Sequence, residues 1–206
     1  MRISKKLIWI DIISFLIFIF ILIEILYNGV LINSDIKINS LMSLIETDFF
    51  INISNIIAFV FDSISIIVIS FILSAYFWFK GHKKDSLFFI FVVLLNGAIV
   101  FLVKEFIQRP RPFNALVNEG SFAFPSGHAA TAVVFFGLLI YLFIKKNKSS
   151  ALKLTYILIS IFIVLLIGIS RLVLNVHWFS DVLGGFFLGL VVLISCIMIR
   201  ESSGIS

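Results

Sequence analysis

Arginine, histidine and aspartate side chains crowd into the twelve residues from Ser170 to Asp181, between two long apolar runs. Ionisable residues near membrane depth are costly and usually have a function. If the chain is helical from His177 onward, Asp181 lies one turn later on the same face. That carboxylate can hold one imidazole nitrogen and leave the other as a base or nucleophile. Arg171 adds a planar cation suited to phosphate or carboxylate oxygens. The alternative is a juxtamembrane cluster that only anchors a helix end.

A second polar block, Pro125-Ser126-Gly127-His128, stands immediately before another apolar run. Ser126 is a natural N-cap for a helix that begins there, and Gly127 allows the backbone to approach a ligand closely. Backbone N–H groups at a helix start, with a glycine beside them, form a ready anion site. This turn is therefore expected to bind an anion, with His128 directly after it.

A third block runs from Lys104 to Pro112 and includes Arg109 and Arg111. Its two prolines end the preceding helix, because each lacks an N–H and disfavours helix in the residue before it. Seven residues on a helix return nearly to the same face, whereas five do not. This favours Arg111 over Arg109 as the partner of Lys104, although the prolines interrupt helical counting. We expect Arg109 to rim the site or to meet lipid headgroups.

Together the three blocks suit phosphoryl transfer, which needs a group that attacks phosphorus and a group that protonates the leaving oxygen. His177, with Asp181 to orient it, is the better nucleophile. His128, beside the anion-binding turn, is the better acid. No Asp/His cluster has metal-ligand spacing, so we expect neither a metal nor a cofactor. The cations expected to neutralise the phosphoryl charge instead are Lys104, Arg111 and Arg171.

The composition places these blocks in a membrane protein. Of the 206 residues, 61% are hydrophobic and 13% are charged, and the mean hydropathy is +1.20. A soluble domain is roughly half apolar and a quarter charged. The net charge of +5 does not indicate nucleic-acid binding, because the cations fall in loops and not along one stripe. The single cysteine, Cys196, excludes an internal disulfide and a cysteine-based metal site.

Six apolar segments are long enough, or nearly so, to cross about 30 Å of hydrocarbon as helices. The first is expected to be a retained helix and not a signal peptide, since it is long and no small-residue cleavage site follows. The sequence therefore predicts an all-α fold, six transmembrane helices in one bundle, with residues 1–206 as a single domain. The predicted spans are Leu7–Tyr27, Ile53–Phe79, Leu87–Val103, Ala129–Ile144, Leu152–Ile169 and Val182–Ile199.

Five acidic or small residues outside the motifs carry further expectations. Asp35 is expected to cap a short interfacial helix, Ile36–Ile45. Asp62 lies inside the second predicted span with no partner that the sequence identifies. Glu119 is expected to be a solvated or paired loop charge. Gly185 and a second glycine four residues later predict close helix packing.

The distribution of cations predicts the orientation in the membrane. Eleven of the sixteen Lys and Arg residues lie on the side of the two termini. By the positive-inside rule both termini are expected to be cytoplasmic. All three polar blocks then lie on the outer face of the membrane.

In type, spacing and order these blocks resemble the signature of the type 2 phosphatidic acid phosphatase (PAP2) family, which shares its site with vanadium haloperoxidases. A match across three separated blocks is far more specific than a single short motif. The family pattern is K-x6-R-P, then P-S-G-H, then S-R-x5-H-x3-D. The matching residues are Lys104-x6-Arg111-Pro112, Pro125-Ser126-Gly127-His128 and Ser170-Arg171-x5-His177-x3-Asp181.

The resemblance implies a PAP2/haloperoxidase-like core and a metal-free reaction on lipid phosphates or diphosphates, with the lipid tail between helices. His177 would form a phosphohistidine that water hydrolyses, Asp181 would orient it, and His128 would be the acid. The residues implied in phosphate binding are Lys104, Arg111, Ser126, Gly127, His128 and Arg171.

We expect a lipid phosphatase of the bacterial cytoplasmic membrane, with undecaprenyl diphosphate as the first choice of substrate and phosphatidylglycerol phosphate or phosphatidate next. A phosphotransferase that uses a lipid diphosphate donor would need the same residues. An anion transporter is disfavoured, because the polar groups cluster at one surface and no internal repeat is evident. A catalytically dead scaffold is disfavoured by the presence of both histidines. The expected partners are the lipid substrate and the bilayer, with no nucleic acid and no obligate protein partner.

Overall fold

The computed structural model describes residues 4–146 and 149–203, and all regular secondary structure in these two ranges is α-helical. Arg2 and Lys148, which count toward the predicted orientation, lie outside them. The eight helices are α1 (Lys5–Leu26), α2 (Val30–Leu44), α3 (Asp48–Val60), α4 (Ser63–Phe79), α5 (Lys83–Ile107), α6 (Gly127–Lys146), α7 (Ser150–Val173) and α8 (Phe179–Ser202).

Five helices are long and apolar enough to cross a membrane: α1, α5, α6, α7 and α8. Helices α2 and α3 satisfy the same test only as a pair, with a bend of 118° at the break between them, and would bring the number of spans to six. The predicted all-helical membrane architecture is therefore confirmed, with five or six candidate spans.

The second predicted span, Ile53–Phe79, is wrong as a continuous helix. Helix α3 ends at Val60, and α4 begins at Ser63. Asp62 is the N-cap of α4, because its Oδ2 accepts a hydrogen bond from the Ile64 N–H at 2.9 Å. An aspartate in this position satisfies one of the N–H groups that a helix start leaves unpaired. The apolar run thus contains a helix start that its hydropathy does not reveal.

The predicted role of Asp35 as a helix cap is also wrong. Helix α2 begins after Gly29, so Asp35 lies within the helix and is only 1% exposed. A buried carboxylate needs partners. Arg109 and Ser180, both distant in the chain, supply hydrogen bonds to it. These contacts turn Asp35 toward the protein interior.

Helix α8 packs against α1 and α6 and carries much of the core. Gly185 and Gly189 face α6 so closely that an added Cβ would lie 2.5 Å from the Ser126 carbonyl oxygen and 2.6 Å from the Ala130 carbonyl oxygen, respectively. Close packing at this glycine pair, as predicted, fixes the start of α6 against α8. The second polar block is therefore held beside the start of α8.

Candidate functional site

The three polar blocks, far apart in the sequence, meet at one end of the helical bundle. Lys104 lies in the last turn of α5, and Arg171 lies in the last turn of α7. His128 is the second residue of α6, and Asp181 is in the first turn of α8. His177 lies in the short connection between α7 and α8.

His177 is 3% exposed, with its Nδ1 3.6 Å from Asp181 Oδ2. The chain is not helical at His177, because α8 begins at Phe179 and the Asp181 carboxylate accepts the Trp178 N–H at 2.8 Å. Asp181 therefore caps its own helix and faces His177 at the same time. Burial, and then the cations of Arg111 and Lys104, hold the pKa of His177 well below its usual 6.5. The imidazole is neutral near pH 7 and can act as a nucleophile.

Arg111 lies against the opposite nitrogen of this imidazole. Its Nη1 is 3.3 Å from His177 Nε2 and donates to the Val176 carbonyl oxygen at 2.5 Å. Its Nε donates to the Ser121 carbonyl oxygen at 2.7 Å. The imidazole thus lies with Nδ1 toward Asp181, without a hydrogen bond from Nδ1 to any described residue, and with Nε2 toward Arg111. Lys104, which is 9% exposed, donates to the Phe122 carbonyl oxygen on the same loop.

Arg171 lies beside the second histidine of the site, His128. Its Nη1 lies 3.4 Å from His128 Nε2, and the arginine is only 2% exposed. Within the described residues, the Nε and Nη2 of Arg171 are buried without a hydrogen-bond partner. Buried donors left in this way are costly. An anion with several oxygens is the kind of ligand that would satisfy them.

The turn before α6 has the geometry expected of a helix cap. Ser126 is fully buried, and its Oγ accepts the Ala129 N–H at 3.5 Å. An ideal Cβ built on Gly127 would make only ordinary contacts, the nearest being Ser63 Oγ at 3.6 Å. Side chains of Val100 and Lys104 lie at similar contact distances, so the structure would tolerate a small side chain at Gly127.

Glu119 bridges two of the cations and is paired, not free in solvent. Its carboxylate lies 3.5 Å from Arg111 Nη2 and 3.4 Å from Arg171 Nη1. The two guanidinium groups are thus close enough to share one anion. A phosphate monoester, with three charged or polar oxygens, is a natural ligand for this arrangement.

Arg109 does not rim the site or face lipid, contrary to the sequence-based expectation. It is 8% exposed, and its Nη1 donates to Asp181 Oδ1 at 2.5 Å while its Nη2 donates to Asp35 Oδ2 at 2.7 Å. Asp35 also accepts the N–H and the hydroxyl of Ser180. The carboxylate beside His177 is therefore held by a buried network that reaches α2. No sequence signal links Asp35 to an arginine 74 residues away.

Asp62 is a second acidic residue whose neighbour the sequence did not identify. Its Oδ1 lies 3.5 Å from His128 Nε2, and its side chain is 40% exposed. Among the residues that the structure describes, no group of three His, Cys, Asp or Glu side chains could hold a metal ion. The site contains three cations and two histidines, and each histidine has a carboxylate oxygen within 3.6 Å of one ring nitrogen.

Comparison with known proteins gives consistent matches. The model of the PAP2 superfamily matches residues 85–204. The chain is 39% identical over 123 residues to phosphatidylglycerophosphatase B of Bacillus subtilis (strain 168), covering 58% of this chain and 60% of that protein. It is 26% identical over 159 residues to lipid phosphate phosphatase 2 of Arabidopsis thaliana, covering 61% and 55% of the two chains. The matches thus span little more than half the length of these curated relatives.

A solved structure resembles almost the whole chain. The crystal structure of a transmembrane PAP2-type phosphatidylglycerolphosphate phosphatase from Bacillus subtilis superimposes with a TM-score of 0.86 at 30% sequence identity. The superposition covers 93% of this chain and 96% of that one.

Proposed function

The chain belongs to the PAP2 superfamily, as its three motifs indicated, and from this premise we propose that it hydrolyses a phosphate from a membrane lipid without a metal ion. We propose further that residues 1–206 act as one phosphatase domain. The observation that carries the proposal is the meeting of two histidines and three cations at one end of the bundle. Their contacts are the Arg111–His177 and Arg171–His128 pairs at 3.3 and 3.4 Å.

In the proposed first step, the site binds the phosphoryl oxygens and His177 Nε2 attacks phosphorus. The bond from phosphorus to the lipid oxygen breaks, and His128 donates its proton to that oxygen. Asp181, opposite Nε2, stabilises the positive charge that develops on the His177 ring. The groups proposed to bind the phosphoryl oxygens are Lys104, Arg111, Arg171, Ser126 and the backbone of Gly127.

In the proposed second step, water attacks the phosphohistidine. His128, now neutral, takes a proton from that water, and inorganic phosphate leaves as the bond to His177 breaks. Both histidines are then in their starting states. A buried cationic site favours this route, because its charges are preorganised where negative charge develops on the phosphoryl oxygens.

Phosphatidylglycerol phosphate is the substrate that we propose first. The support is the activity by which two Bacillus subtilis matches are named, the phosphatidylglycerophosphatase B sequence at 39% identity and the solved phosphatidylglycerolphosphate phosphatase structure at 30% identity. Undecaprenyl diphosphate, which the sequence alone favoured, and phosphatidate are the competing substrates. Transfer to an acceptor other than water would use the same residues.

The test is phosphate release from each purified lipid by the purified protein in EDTA. We expect the highest kcat/KM with phosphatidylglycerol phosphate and no loss of rate in the chelator. Release from none of the three lipids would refute the phosphatase proposal. A higher kcat/KM for undecaprenyl diphosphate would reverse the proposed order of substrates.

We propose that the site faces the extracytoplasmic side of the plasma membrane, with both termini in the cytoplasm; the excess of Lys and Arg on the side of the termini supports this orientation. Asn118, near the site, and Ser149, between α6 and α7, are both exposed, whereas the native Cys196 is buried. A membrane-impermeant maleimide should label Asn118→Cys in intact cells and Ser149→Cys only after permeabilisation. The reverse pattern would invert the orientation.

A further inference from the structure

Asp62 lies at the break between α3 and α4, and its carboxylate faces His128. One carboxylate oxygen, Oδ2, caps α4 through the Ile64 N–H at 2.9 Å. The other, Oδ1, lies 3.5 Å from His128 Nε2. Asp62 precedes the stretch matched by the family model, residues 85–204. Nothing in the three motifs accounts for a carboxylate at this position.

The charged groups around His128 indicate what the Asp62 carboxylate does. Arg171, from α7, lies 3.4 Å from the same Nε2. A second cation, Arg111 from the loop before α6, is also close enough to interact electrostatically with the ring, as is the neutral imidazole of His177 from the loop before α8. Neighbouring cations oppose a further positive charge, yet a general acid must carry its proton when the substrate binds. Asp62 is the anion nearest to that proton.

We propose that Asp62 is a positioning residue that favours the protonated form of His128 and directs it at the leaving oxygen of the lipid. The inference rests on the proposed phosphatase function. Asp62 itself exchanges no proton in the cycle. His128 loses its proton to the leaving oxygen and regains one from the attacking water, and the Asp62 carboxylate beside its Nε2 interacts favourably with the imidazolium form.

The exposure of Asp62 makes the proposal testable without disrupting the core. Its side chain is 40% exposed, and asparagine is as good an N-cap as aspartate. Asp62→Asn should therefore keep α4 capped while it removes the negative charge. The matched control is Asp48→Asn, which makes the same change at an exposed residue in the first turn of α3.

The experiment measures kcat and KM against pH with phosphatidylglycerol phosphate and with p-nitrophenyl phosphate. General acid catalysis contributes about 10²–10⁴-fold, and we expect Asp62→Asn to lose roughly tenfold to a hundredfold of kcat with the lipid. The loss should be much smaller with p-nitrophenyl phosphate, because its phenolate leaves without full protonation. The alkaline limb of the lipid profile should move to lower pH, and Asp62→Glu should restore part of the rate.

Several results would overturn the inference while leaving the phosphatase function intact. One is a kcat equal to that of Asp48→Asn at every pH. Another is a lower KM with unchanged kcat, which would show that Asp62 only repels the anionic substrate. A third is an equal loss with both substrates together with a lower Tm, which would show that Asp62 only caps α4. Wild-type protein without phosphatase activity would instead refute the proposed function.

Discussion

Replacing Asp35 with alanine should destabilise the fold and slow turnover together. The Asp35 carboxylate is 1% exposed and accepts three hydrogen bonds, from Arg109 Nη2 at 2.7 Å, from the Ser180 N–H at 2.8 Å and from the Ser180 hydroxyl at 2.6 Å. Breaking a buried ion pair by removing one partner costs about 3–5 kcal/mol. For a chain of this size, each kcal/mol lowers Tm by about 2–4 °C, so we expect a decrease of roughly 6–20 °C.

The effect on turnover follows from the other end of the network. Arg109 also donates to Asp181 Oδ1 at 2.5 Å, and the second oxygen of Asp181 faces His177. Freed from Asp35, Arg109 can shift and carry Asp181 with it. A displacement of about 1 Å at a catalytic group can cost on the order of a hundredfold in rate.

The assay combines thermal unfolding in detergent with kcat on a lipid phosphate at a temperature below the Tm of the variant. Asp48→Ala, at an exposed residue of α3, controls for loss of one negative charge. Asp35→Asn should fall between the wild type and the alanine variant, because it keeps hydrogen-bond capacity but not charge. If Asp35→Ala matches the control in both Tm and kcat, the network supports neither stability nor the nucleophile.

Three further predictions address the histidines and the packing of the site. His177→Ala and His128→Ala should each lose about 10³-fold or more of kcat with Tm nearly unchanged, and near-normal turnover in either would contradict the proposed roles. Gly185→Ala should lower the free energy of unfolding by about 1–3 kcal/mol and reduce kcat, because the new Cβ would lie 2.5 Å from the Ser126 carbonyl oxygen. Gly97→Ala, where an added Cβ meets nothing within 4 Å, should change neither stability nor kcat. Equal effects of the two substitutions would exclude the clash as the cause. The pKa of His177 is lowered in the folded state, so the unfolded chain binds the proton more readily and stability falls as pH drops below 6.5. The loss of stability is about 1.4 kcal/mol at pH 5.5. The decrease in Tm from pH 7.5 to pH 5.5 should therefore be smaller for His177→Gln than for the wild type. An equal decrease in both proteins would show that His177 is not its cause.

Features that depend on short stretches of sequence were predictable. The nearness of His177 and Asp181 and the cap at Ser126 involve neighbours within one helical turn, although the predicted helix at His177 is wrong because α8 begins at Phe179. The close packing at Gly185 followed from a small residue repeated four positions later. Five of the six predicted apolar runs coincide with helices long and apolar enough to cross a membrane, and the second run is broken between α3 and α4. Because all three motifs lie at span ends on the same side of the predicted topology, their residues were expected to meet there.

Features that depend on contacts between distant elements were not predictable. Asp35 and Arg109 are 74 residues apart, and each alone resembles a surface charge. Arg109 was assigned to the surface because it is five residues from Lys104, a count that assumes a helix, whereas α5 ends at Ile107. The break at Asp62 was hidden because the residues on both sides are apolar, and hydropathy averages across a helix start.

The most direct test of the account is to trap the phosphoenzyme. Wild-type protein mixed with lipid phosphate and quenched rapidly under alkaline, denaturing conditions should yield a phosphorylated peptide, and mass spectrometry should place the phosphoryl group on His177. His177→Ala should yield none of this species. A phosphoryl group on another residue, or phosphate release that persists in His177→Ala, would contradict the claim that this imidazole takes the phosphoryl group from the lipid.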